Sequence, residues 1–393
     1  MDALAHGQLL VDTLRLGDAG DDDHAALASG WSRADQDVLV AQAVREGAEL
    51  WLHRRLRAAQ VVLAAGPRDA LEVAARHVRA RTMRADAALA RVAAIFATAD
   101  VAMVPLKSAA LRRLTSRLPL ADARASADVD VLVPEHEADR ATIVLRGKHF
   151  SPVVATGAVP EGHHHRAPLA DDTGVAVEVH ATTHPAVRPA EAWRRATRDA
   201  QGASIDDVPL QLPCDTELLW HALAHAHLDA SDHARIGLRL RYWLDGAVLI
   251  AGGTIDWATI RSRLDGGELR PPELARAWLW WAAALAGRTL GFAELGASEV
   301  GALDLPRLLA WRLHVHADHP ADSRWREKLL EEGARAEAGL PRRGKEAGNS
   351  PATAARRAAA ALAARAAYSA WRAGLATSDD FTGEYPAPVS PPA

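Results

Sequence analysis

Arg124-Ala-Ser-Ala-Asp-Val-Asp-Val-Leu-Val133 is the stretch on which the reading of this chain turns. Its first half is small and polar, and its second half alternates acid with valine before becoming wholly apolar. That pattern predicts a buried strand over Asp128–Val133 with an acidic start. Residues two apart on a strand share a face, so Asp128 and Asp130 converge. Two carboxylates held together repel unless a cation lies between them. Hard oxygen donors in that number suit Mg2+, which keeps its other positions for water and phosphate.

Working outward, Val101–Leu106 reads as a short strand and Ser108–Leu114 as a helix. Glu135–Arg146 reads as a further helix, and Phe150–Ala155 as a possible strand. Val175–His180 alternates strictly after Gly174 and carries a third acid, Glu178. If the two alternating strands are neighbours, Asp128, Asp130 and Glu178 form one cluster, the site expected for two-metal phosphoryl or nucleotidyl transfer. Strands and helices interleaved over about 80 residues make a small α/β unit. On either side the spacing is helical. Leu39, Ala43, Ala48, Trp51, Leu52 and Leu56 recur at helical intervals, and Leu71–Phe96 continues them after an expected break at Gly66-Pro67. Leu218–Leu228, Ile236–Leu249, Trp257–Leu264 and Pro272–Leu290 follow the sheet region, with Asp215 expected to cap the first. The whole is therefore expected to be α+β: a small mixed-sheet core flanked by N-terminal and C-terminal helical regions. The expected boundaries are 1–98 helical, 99–213 core, 214–335 helical, and 336–393 a linker, an Ala/Arg-rich helix over Ala352–Leu375 and a disordered Pro-rich tail.

Composition excludes several classes of function. The 393 residues are 49% hydrophobic and 24% charged, values of an ordinary globular chain. No apolar run approaches the roughly 18 residues of a membrane span. The N-terminus lacks the basic start and apolar core of a secretory signal, so a cytoplasmic location is expected. A single cysteine, Cys214, excludes a disulfide scaffold and a thiolate metal cluster. The 46 basic and 50 acidic residues give a net charge of −4, which argues against bulk binding of nucleic acid. Only four residues are lysine (Lys107, Lys148, Lys328 and Lys345), so a lysine beside the acidic strand stands out.

Three stretches together resemble a known family. Val104-Pro-Leu-Lys-Ser-Ala-Ala-Leu111, the Arg124–Val133 stretch and Val177-Glu-Val-His180 look like the bacterial uncharacterised nucleotidyltransferase family of the DNA polymerase β superfamily. Its pattern runs L-K-G-a-a-L, R-x-x-x-D-[IV]-D-[IL]-L-V, then [LV]-E-L-H-W. The segment His221–Ile260, with HALAHAHLD, RLRYWLDGAVLI and IDWATI, resembles the family's helical part. The resemblance covers about Val101–Leu264. It implies a polymerase β-like fold and metal-dependent transfer of a nucleoside monophosphate, with ATP the expected donor, two Mg2+ ions, and an unknown small-molecule, peptide or protein acceptor. By position Asp128, Asp130 and Glu178 would be catalytic and hold the metals, Glu178 also helping to deprotonate the acceptor hydroxyl. Lys107 and Ser108 would stand at the phosphate-binding turn, with Arg124 as a further phosphate contact. His180, two residues after Glu178, shares its face and is expected to hydrogen-bond either that carboxylate or a phosphate of the nucleotide. Two departures are visible: Ser108 stands where glycine is usual after the lysine, and Ala181 where tryptophan is usual. A protein-modifying, toxin-type transferase and a degenerate scaffold of the same fold are the alternatives.

The remaining histidines read as follows. His163–His165 is expected in a loop before the Glu178 strand, either as an exposed polar loop, the reading favoured, or as a contact to nucleotide or acceptor where that loop opens near the acidic cluster. His221 and His225 have the i, i+4 spacing that can hold zinc, but the reading favoured is a helix packed against the site or lining an acceptor pocket. His314, His316 and His319 are expected at the surface. The arginines of Arg235–Arg241 and Arg356–Arg365 are expected to be solvated faces.

Overall fold

The computed structural model describes residues 3–15, 30–114, 117–118, 120–153, 165–232, 240–269, 272–290 and 292–295. Helices α1 (Ala3–Leu14), α2 (Arg33–Glu46), α3 (Glu49–Ala58) and α4 (Ala65–Thr98) come first. A capping box starts α2: Ser32 Oγ accepts the Asp35 N–H, and the Asp35 carboxylate accepts the Ser32 N–H at 3.0 Å. Gly47, left-handed at φ +69°, ends it. In α4 the buried positions Leu71, Ala75, Val78, Thr82, Ala85, Leu89, Val92 and Phe96 recur every three or four residues. One correction arises here. Gly66 and Pro67 do not break the helix but sit in its first turn, where proline's missing N–H costs nothing. The break lies earlier, around Gln60, whose φ is +55°.

The central region runs β1 (Val104–Pro105), α5 (Lys107–Leu111), β2 (Asp128–Leu132), α6 (Ala138–Arg146), β3 (Ser151–Pro152), β4 (Leu169–Ala170) and β5 (Ala176–His180). The five strands form one mixed sheet in the order β1-β2-β5-β4-β3. Its centre is the parallel pair β2 and β5; the other pairings are antiparallel. The expected α+β architecture is therefore present. Val129, Val131, Val177 and Val179 turn to one face and bury against Ala85, Leu89, Val92 and Phe96 of α4 and Ala138, Ala141 and Leu145 of α6. Each such valine contributes roughly 1.5–3 kcal/mol, so the valines decide which face is core. The acids are left on the other face.

Next come α7 (Pro189–Arg198), a hairpin of β6 (Gln201–Ile205) and β7 (Val208–Leu212), and helices α8 (Asp215–Asp232), α9 (Leu240–Gly252), α10 (Trp257–Asp265), α11 (Pro272–Leu285) and α12 (Phe292–Leu295). The hairpin was not legible from pattern. Its two-residue turn, Asp206-Asp207, has φ of +45° and +63°, the mirror-image turn that suits strand twist. Asp215 does not cap α8. Its carboxylate is taken by Arg117 at 2.6 Å, by Gln201 at 3.0 Å and by the Thr254 N–H at 2.7 Å.

Contacts divide the chain into a unit of Met1–Leu228 with Gly237–Ala310 and another of Asp229–Ile236 with Trp311–Ala393. The sheet and the site below lie in the first. The expected tail helix, the Pro-rich end, His314, His316, His319 and Arg356–Arg365 lie outside the described residues, as do His163, His164 and Arg235. No described helix is long and apolar enough to cross a membrane.

Candidate active site

Asp130 on β2 stands directly opposite Glu178 on β5, and Leu132 opposite His180. The two alternations therefore put Asp128, Asp130, Glu178 and His180 on one face of the sheet. Lys107 joins them because the Leu106 N–H donates to the Asp130 carbonyl at 2.9 Å, which docks the start of α5 beside β2. Lys107 itself is left-handed, with φ +49°. In the turn where the resemblance leads one to expect glycine, it is thus the lysine backbone that takes the glycine-like conformation.

Side-chain geometry closes the cluster. Lys107 Nζ donates to Asp130 Oδ1 at 2.6 Å, and His180 Nε2 donates to the same oxygen at 2.9 Å. Glu178 Oε2 lies 3.5 Å from His180 Nε2, 3.9 Å from His165 Nε2 and 4.0 Å from Lys107 Nζ. Asp130 and His180 are each only 1% exposed. Burial alone would raise the Asp130 carboxyl, but the Lys107 charge and the His180 hydrogen bond outweigh it and hold it well below the usual carboxylate range. Burial likewise works against charge on Lys107 and His180. The carboxylates win in both cases and raise them. Asp128 goes the other way: burial, then the negative charge of Asp130, raises its carboxyl. One acid is locked ionised while its neighbour is crowded toward neutrality. A cation would relieve that arrangement.

The donor set fits such a cation. Asp130, Glu178 and His180 each offer one ligand atom, and these atoms lie within 4.8 Å of one another. Both bonds to Asp130 go to Oδ1, so Oδ2 is not engaged among the described residues.

The other residues singled out from sequence behave differently. Ser108 is buried, and its hydroxyl lies 2.9 Å from that of Ser126. Ser126 in turn donates to the Asp128 carbonyl and receives Thr82 contacts from α4. Ser108 thus braces the turn against β2. Arg124 places Nε 2.5 Å from Asp245 Oδ1 on α9, and its Nη1 donates to the Ala125 carbonyl at 2.5 Å. His165 was expected in an exposed loop, and that is corrected. It bridges to His180, with ring centroids 5.3 Å apart, and so lines the site. A three-histidine run carries no strand period, and only the pairing with β5 reveals it.

Comparison with known protein families agrees with this geometry. Residues 32–285 match the family described as uncharacterised nucleotidyltransferase. The chain belongs to that family. No curated protein and no solved structure matches it. The family match begins at the N-cap of α2 and ends on the last residue of α11, so it takes in the sheet and helices on both sides of it. Nucleotidyl transfer needs carboxylates to gather divalent cations and positive groups to meet phosphate. The sheet face of this nucleotidyltransferase offers a buried acidic and histidine cluster with one lysine in it.

Proposed function

We propose that this nucleotidyltransferase moves AMP from ATP to a hydroxyl of a small molecule or peptide, using Asp128, Asp130 and Glu178 as its catalytic carboxylates. The observation that carries the reading is the register of β2 and β5, which sets Glu178 opposite Asp130 and leaves Asp128 on the same face. Asp128, Asp130 and Glu178 would hold Mg2+, which when bound supplies positive charge to the phosphates and to the leaving pyrophosphate. In the transfer the acceptor oxygen bonds to the α-phosphorus as the bond to the β-phosphate oxygen breaks. The hydroxyl proton passes to Glu178, whose Oε2 faces His165 and His180 and whose side chain is 21% exposed against 1% for Asp130. Lys107 keeps Asp130 ionised and, at the turn into α5, presents charge to a phosphate. His180 fixes the Asp130 carboxylate in rotation, so its remaining oxygen keeps one direction.

A second reading has its own observation. Ser108 and Arg124, both assigned to nucleotide by resemblance, already have protein partners. This favours a degenerate scaffold of the same fold, whose nucleotide contacts have been taken over by the protein itself. The experiment separating the two is incubation of the full chain with α-labelled ATP, Mg2+ and extracts of metabolites and peptides. Release of pyrophosphate with label on a new product, abolished by Asp130→Asn, supports transfer. No label transferred in any extract, and no ATP binding detected by calorimetric titration with Mg2+ up to about millimolar nucleotide, supports the second reading.

A further inference from the structure

The chain leading into β4 brings a second imidazole to the acidic cluster. His165 bridges to His180 in antiparallel fashion, and the Arg166 N–H donates to the Val179 carbonyl at 2.8 Å. This backbone bond holds His165 beside the end of β5, where its side chain is 13% exposed. The ring is fixed as well. Its Nδ1 lies 2.7 Å from the Arg166 carbonyl oxygen. A carbonyl only accepts, so Nδ1 carries the proton and, in the neutral ring, Nε2 carries the lone pair.

Across from that nitrogen stands Glu178, with Oε2 3.9 Å away. The gap is too long for the two atoms to be bonded directly. A charge-assisted hydrogen bond closes to about 2.7–2.9 Å, as those of Lys107 and His180 to Asp130 do at 2.6 and 2.9 Å. It is instead the length for two atoms that share a third between them. Bonds of about 2.0–2.2 Å from a dication to an imidazole nitrogen and to a carboxylate oxygen together span about 4.2 Å. An ion can therefore enter between Nε2 and Oε2 without moving either side chain. A histidine that holds a metal commonly donates its other ring N–H to a carboxylate or a backbone carbonyl, which fixes its tautomer and direction. The contact of His165 with the Arg166 carbonyl has that form.

We propose that His165 is a metal ligand, that it holds one cation jointly with Glu178, and that this ion is a first-row transition-metal dication in preference to Mg2+. The proposal rests on the reading of Glu178 as a metal-holding carboxylate. Carboxylate oxygens alone suit Mg2+, whereas an imidazole nitrogen in the ligand set favours transition ions. Asp128 and Asp130 keep an all-oxygen position for Mg2+, and Glu178 with His165 makes a mixed one beside it. His165 is thereby the residue that sets metal preference, and the carboxylates alone do not.

The test uses the full chain with Mn2+ as probe and neither nucleotide nor acceptor. In pulsed electron paramagnetic resonance, a nitrogen bonded to Mn2+ modulates the electron spin echo. The wild type is expected to show this modulation and His165→Gln to lose it. Modulation kept in His165→Gln overturns the proposal, because the nitrogen then belongs to another residue such as His180. Calorimetric titration gives a second readout. His165→Gln should lower Co2+ affinity at least about 10-fold and Mg2+ affinity much less, and equal losses for the two ions overturn the proposal. Should His165→Gln not fold, His165→Asn takes its place. A wild type that binds Mn2+, with binding weakened by Asp130→Asn, but shows no nitrogen modulation overturns this proposal alone. A wild type that binds no Mn2+ overturns the metal reading of the site as well.

Discussion

His180 and Asp130 meet at 2.9 Å across the parallel pair β2 and β5, although His180's own register partner is Leu132. The diagonal contact depends on both strands alternating in phase, so that every second residue of each faces the same side. It gives Asp130 a fixed orientation, and Lys107 on the same oxygen gives it a charge. The arrangement resembles a metal ligand with its outer partners already in place.

Asp130→Asn should therefore abolish AMP transfer and weaken binding of Mn2+, used as a spectroscopic probe, by at least the ~10–100-fold that even outer partners of a metal site command. Electron paramagnetic resonance titration reads this without any acceptor. Asp128→Asn should act in the same direction, because Asp128 shares the face. Wild-type Mn2+ affinity in both variants would remove the metal site from this face of the sheet.

Acid sensitivity should trace to Asp215. Burial would raise this carboxyl, but the Arg117 hydrogen bonds, the Thr254 N–H and Gln201 together lower it. A folded value below the unfolded one means that the ionised form stabilises. The contribution is whole above the ordinary carboxylate range near pH 4 and is lost as pH falls through the folded value. Asp215→Asn should thus cost about 1–3 kcal/mol at pH 7 and much less at about pH 3. Denaturant melts at the two pH values measure the difference, and parallel losses at both would refute the assignment.

The parts of the site legible in sequence are those with a local period. Asp128, Asp130 and Glu178 could be placed on one face because valines alternate with them and must go inward. Lys107 could be singled out because lysine is scarce. The roles of Ser108 and Arg124 could not be read, since their partners, Ser126 and Asp245, lie 18 and 121 positions along the chain and leave no local pattern. Strands β1 and β3, two residues each, fall inside the stretches read as strands, whereas β4, equally short, shows no alternation and could not be read. β1 and β4 pair with the edges that β2 and β5 offer, and β3 in turn pairs with β4.

Arg124 and Asp245 offer a direct measurement of one such hidden pair. Both side chains are about 10% exposed, and burial raises the Asp245 carboxyl despite its partner. Arg124→Met leaves a buried carboxylate alone and should cost about 3–5 kcal/mol. The double variant Arg124→Met, Asp245→Leu should regain most of that, since an apolar pair avoids desolvating two charges. If Arg124 also meets phosphate, the double variant recovers stability but not ATP affinity. Additive stability losses would mean that the pair is not coupled.

Gly246 sets the distance between α9 and α11, and its substitution weighs two opposed effects. Alanine is the better helix former by roughly 1 kcal/mol. Yet a Cβ at Gly246 would stand 2.5 Å from Trp278 Cη2 and 2.9 Å from Ala282 Cβ, closer than carbon atoms approach. Trp278 is 3% exposed and Ala282 fully buried, so neither can swing into solvent. The clash should win, with Gly246→Ala losing about 1–3 kcal/mol net. Trp278→Phe removes the ring atoms concerned and leaves a space the new methyl can enter. Gly246→Ala combined with Trp278→Phe should therefore be more stable than the sum of the single effects, by an interaction of about 0.5–3 kcal/mol. Thermal melts of the four chains give that number. Strict additivity would show that the two helices separate freely and that Gly246 does not set their spacing.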